Sequence, residues 1–83
     1  MRKLNRDRVN VDAIIDPPRT ALGECVVCDI SDLGAKLYLD TDDTVVPERA
    51  VFFLHIPSRS MRYCCSLVWR SGREVGVEFV RWQ

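Results

Sequence analysis

The sequence predicts an all-β protein built as a six-stranded antiparallel β-barrel. Apolar residues alternate or cluster in six short blocks, and no helical periodicity of useful length is present. The blocks are separated by brief connections made of turn-forming residues. With 83 residues in all, an open sheet would leave one apolar face uncovered. Closing the sheet buries that face and removes its edges.

The strands follow in order. Residues 9–15 (VNVDAII) form the first. Pro17 and Pro18 cannot continue a ladder, so a loop follows. Residues 22–30 (LGECVVCDI) form the second strand, closed by a tight turn over residues 31–34. Residues 35–39 form the third, with Ala35, Leu37 and Leu39 on one face. Residues 40–48 are polar and contain Pro47, which reads as a loop. Residues 50–56 form the fourth strand, 57–60 a short hairpin connection, and 61–70 a long fifth strand. Residues 74–80 form the sixth, with Val75, Val77 and Phe79 inward and no C-terminal helix of note after it. Alternation is expected to turn Val26, Cys28 and Ile30 inward. They would join Leu37, Leu39, Phe52, Leu54 and Ile56, while Cys25, Val27, Asp29 and Ser31 face outward.

Two domain-level parts are expected: a flexible basic arm over residues 1–8 and a barrel over 9–83. The formal net charge is zero but uneven. Arg2, Lys3, Arg6 and Arg8 face one acid, Asp7, in the arm, and the remainder carries a net charge of −3. A basic arm on a mildly acidic body favours a compact anionic ligand. It disfavours a nucleic acid polymer, which needs a broad basic face, and so a small oligonucleotide-binding barrel is the weaker reading. No apolar run approaches the length needed to span a bilayer, and no apolar segment follows the charged N-terminus. The expected setting is cytoplasmic, without membrane insertion.

Cys25, Cys28, Cys64 and Cys65 do not read as a zinc site. Only one Cys-x-x-Cys spacing exists, and the odd offsets within each pair send the sulfurs to opposite faces of a strand. They read as small buried or half-buried hydrophobes in a reducing compartment. His55 is the single histidine, in an apolar strand with no nucleophile placed beside it. No enzyme is expected. Trp69 and Trp82 can stack on a base, although a strand tryptophan more commonly fills or borders the core. Arg70 and Arg81 beside them are candidates for an anion site.

The chemistry concentrates at Asp29, Ser31 and Gly34. Asp29 and Ser31 are two apart at a strand end and share a face. An ionised carboxylate accepts two hydrogen bonds at once, which matches the N1–H and amino donors of guanine. The Ser31 hydroxyl donates or accepts beside it. Gly34 lets a ligand or another backbone come close. Arginine forks onto phosphate or onto guanine O6 and N7, and stacks on purines.

In order and spacing these residues resemble the PilZ family. Arg2 to Arg6 spells Arg-x-x-x-Arg. Asp29 to Gly34 spells Asp-x-Ser-x-x-Gly, and Gly76-Val77-Glu78-Phe79 is similar to the family's Gly-hydrophobic-x-Phe final strand. The resemblance implies a small β-barrel that binds the bacterial second messenger cyclic di-GMP, as a monomer or an intercalated dimer, with no cofactor. It implies that Arg2 and Arg6 wrap the ligand from a flexible arm, that Asp29 and Ser31 contact a guanine, and that Gly34 keeps the ligand-side turn open. The arginine register has two solutions. Either Arg2 and Arg6 form the pair, or Arg8 is the second arginine and Arg6 substitutes for the first. The implied role is a single-domain receptor that signals through a downstream protein partner. The alternative is a degenerate PilZ interaction module that does not bind nucleotide.

Overall fold

A computed structural model of the chain describes residues 7–16 and 24–80. The elements are β1 (Asp7–Asp16), β2 (Glu24–Ile30), β3 (Gly34–Leu39), β4 (Phe52–Ile56), a 3₁₀ turn (Pro57–Arg59), β5 (Met61–Ser71) and β6 (Glu74–Phe79). They close into a barrel in the order β1-β2-β3-β6-β5-β4. Every neighbouring pair is antiparallel, including the closing pair β1 and β4. The expected all-β, six-stranded antiparallel barrel is the observed fold. Among the described residues the three-residue 3₁₀ turn is the only helix, and none is long and apolar enough to cross a membrane.

The core explains the closure. Ile15, Val27, Leu37, Leu39, Phe52, Leu54, Ile56 and Val75 are all but sealed from solvent. Each such side chain contributes roughly 1.5–3 kcal/mol by burial. Every strand supplies at least one inward residue, and Tyr63 and Phe79 stack against this core with ring centroids 4.3 Å apart. No strand can leave the barrel without exposing part of a shared interior.

The strand ends and facing differ from expectation in ways that matter for the site. β1 begins at Asp7, two residues before the expected start, and so includes Arg8. β4 begins only at Phe52, and Val51 stays exposed. In β2, Cys25 and Val27 are buried, whereas Val26 and Cys28 are only partly covered, the reverse of the expected facing. The cause is a β-bulge between Val27 and Asp29. One extra residue breaks the two-residue period, so Ile30 points inward although Val27 does too. Similar register shifts fall between Arg8 and Val11 in β1 and between Leu67 and Trp69 in β5.

Within the β3–β4 connection, Thr44 and Val46 are buried. Arg70 holds this connection. Its guanidinium donates to the carbonyls of Thr44 (2.8 Å), Asp42 (2.9 Å) and Gly72 (2.9 Å). Arg73 adds a bond to Asp42 at 3.2 Å and lies over the Tyr38 ring. Arg70, a candidate aid to an anion site, is thus engaged as a loop clamp. Arg81 and Trp82 lie outside the described residues.

Three of the four cysteines are buried, as their expected role requires. Burial first, and then the neighbouring thiol, pushes the Cys25 and Cys65 thiols up to about 12 from an ordinary value near 9. The folded form thus holds both protons more tightly. Its stabilising share is complete below pH 9 and is lost as pH rises towards 12. At pH 8 a thiol-specific reagent should label half-buried Cys28 first and reach Cys25 and Cys65 only on unfolding. Equal labelling rates in the native state would contradict this packing.

Candidate functional site

The three bulges converge on one feature of the outer wall. Reading across the ladder, Arg8 pairs with Asp29, Asp29 with Lys36, Lys36 with Gly76, and Gly76 with Trp69. A single cross-strand row therefore carries a carboxylate, an ammonium, a bare glycine and an indole over β2, β3, β6 and β5. The bulge in β2 takes Asp29 off the inward phase of Val27. The bulge in β5 does the same for Trp69 relative to Leu67, which packs on the core. Bulges beside functional sites act in this way, by re-aiming one side chain without rebuilding the sheet.

The row forms the floor of a cleft of about 370 Å³, with Leu33, Val68 and Glu78 at its margins. Asp29, Ser31 and Gly34, singled out from sequence, all line it. Asp29 is half-buried, and its Oδ1 is shielded from solvent. Arg8 lies opposite Asp29 in the backbone register. Arg2 and Arg6 lie outside the described residues.

Ser31 is held by its own turn. Its N–H donates to the Gly34 carbonyl at 2.9 Å, its hydroxyl donates to that carbonyl at 3.4 Å, and the Leu33 N–H donates to the hydroxyl at 3.2 Å. The hydroxyl oxygen has one lone pair left, aimed by the turn and suited to a ligand donor. The Leu33 carbonyl accepts from the Phe79 N–H at 2.8 Å, which ties the turn to β6. Gly34 sits so close to β6 that a Cβ there would run into the Val77 carbonyl. The reason for glycine is thus the neighbouring backbone rather than an opening for a ligand.

Trp69 is the site residue whose placement sequence reading missed. It is 42 % exposed and stands on the outer wall, not in the core. Its indole lies against Gly76, where any Cβ would overlap the ring. The signal was the glycine: a Gly in a strand marks a place where something approaches closely. The result is a flat aromatic surface beside Asp29, Ser31 and Lys36. Elsewhere on the wall, a cleft of about 310 Å³ is lined by Asp12, Glu24 and Asp40. Its Arg73 is already bonded to Asp42, so it is poorly suited to an anion.

Set against known families, the chain matches the PilZ domain over residues 2–82, and it belongs to that family. No curated protein matches the chain. The PilZ assignment covers the bulged row, the Ser31 turn and the closing strand together.

A Gly76→Ala substitution should displace the Trp69 indole from the wall and cost about 1–3 kcal/mol of stability. The Trp69 indole N–H resonance should move while the core methyl resonances hold. An unmoved indole resonance would show that the ring does not rest on Gly76.

Proposed function

We propose that this protein is a receptor for cyclic di-GMP in the bacterial cytoplasm, a binding module and not an enzyme, which signals through a protein partner. The supporting observation is the cross-strand row. It sets a carboxylate acceptor and an aromatic surface on one wall, with an arginine paired to the carboxylate's strand position. Asp29 accepts the N1–H and amino hydrogens of a guanine edge. Ser31 offers the remaining lone pair of its hydroxyl, and Trp69 gives the purine a face to stack on. The PilZ assignment supports the same ligand class.

The register favours Arg8 over Arg2 as a partner in the arginine pair, with Arg6 as the arm residue. Arg8 stands opposite Asp29 on a neighbouring strand. A guanidinium at that strand position suits the same purine or its phosphate.

Titration calorimetry with cyclic di-GMP should give a dissociation constant on the order of micromolar, about −8 kcal/mol. Asp29→Ala should cost about 1.5–3 kcal/mol of binding and leave the barrel folded. No heat and no shifted amide resonances with the wild-type chain would replace the receptor reading with that of an interaction module.

Arg8→Ala should weaken binding at least roughly ten-fold, and Arg8→Lys should not restore it, because an ammonium neither forks nor stacks. Normal affinity for Arg8→Ala, with a large loss for Arg2→Ala, would reinstate Arg2 and Arg6 as the pair.

A further inference from the structure

The cleft floor holds one group that the proposed contacts leave unused. Lys36 is the only cationic side chain among the described residues that line the cleft. It stands between Asp29 and Gly76 in the row, with the Trp69 indole over Gly76. Its ammonium is 3.4 Å from a carboxylate oxygen of Glu74, which lies on β6 outside the cleft lining. Both side chains are about half exposed, at 44 % and 50 %. A pair so exposed to water is weak, and its partner is readily exchanged.

The other described arginines whose contacts are resolved are committed elsewhere. Arg62 bonds Asp16 at 3.0 Å and covers the Phe53 ring, Arg70 clamps three carbonyls, and Arg73 bonds Asp42. A guanine whose N1–H and amino edge meets Asp29 turns its N9-linked ribose and phosphodiester away from that carboxylate, and the cation next to Asp29 in the row is Lys36.

We propose that Lys36 anchors a phosphodiester of the bound cyclic dinucleotide, and that Glu74 competes with the ligand for it. This rests on the cyclic dinucleotide reading of the cleft. In the free protein Glu74 holds the ammonium. On binding, the phosphate takes over as its partner, and Glu74 is released to solvent. The carboxylate thus lowers affinity, while Lys36 raises it. A merely structural Lys36–Glu74 pair would give the opposite sign for Glu74, since breaking it would loosen the wall and weaken binding.

The test is calorimetry with cyclic di-GMP on the full chain and four variants: Lys36→Ala, Glu74→Gln, the double variant, and Asp29→Ala as the guanine-side control. Thermal unfolding of each confirms the fold. Lys36→Ala should weaken binding roughly ten-fold and flatten its salt dependence. Glu74→Gln should tighten binding about two- to five-fold. The double variant should bind like Lys36→Ala, because the gain from Glu74→Gln requires the lysine. Wild-type affinity for Lys36→Ala, with binding lost in Asp29→Ala, would overturn this proposal and leave the receptor reading intact. Unchanged or weaker binding by Glu74→Gln would overturn the competition. Absence of binding by the wild-type chain would remove the receptor reading and this proposal with it.

Discussion

The site depends on one constraint, the break in two-residue alternation at Cys28. A strand whose core face is fixed by Cys25 and Val27 would carry Asp29 into the barrel interior. A carboxylate there would face a heavy desolvation cost. The extra residue between Val27 and Asp29 resolves the conflict, because it lets Ile30 return to the core and keeps Asp29 on the wall. The bulge in β5 does equivalent work for Trp69. Core packing and site chemistry thus place competing demands on the same strands, and the bulges satisfy both.

Glycine completes the wall by two different close approaches. At Gly34 the space is taken by the backbone of β6, which draws the Ser31 turn against the closing strand. At Gly76 it is taken by the indole of Trp69. One glycine fixes the polar end of the cleft and the other fixes its aromatic end. Both lie on the β3–β6 pair, with Lys36 opposite Gly76. The candidate cleft therefore lies across this pair.

The charges are distributed with similar economy. The arginines of the β5–β6 hairpin hold the β3–β4 connection, whose own Thr44 and Val46 are buried. The Arg70 guanidinium satisfies two carbonyls of that irregular segment, Asp42 and Thr44, and a third, Gly72, in its own hairpin turn. With those cations engaged, Lys36 is the one cationic side chain among the described residues lining the cleft, and its Glu74 partner is weakly held.

Much of this protein was legible in its sequence. Six blocks with prolines and short turns between them pointed to an antiparallel barrel, because closing the sheet covers its apolar face and removes its edges. The spacing of Asp29, Ser31 and Gly34 pointed to residues that line one cleft. The facing of residues 25–28 was not legible, because Cys25, Val26, Val27 and Cys28 are all apolar and either phase satisfies the pattern. Only the pairing of β2 with its neighbours on both sides decided the phase and located the bulge. Trp69 was undecided for the same reason. Leu67, Val68 and Trp69 offer no polar residue to set the phase, so its position on the wall followed from a register shift and from the empty place over Gly76. Local composition settles which residues form strands. Which face each one presents depends on contacts between strands distant in sequence, and those exist only once the barrel has closed.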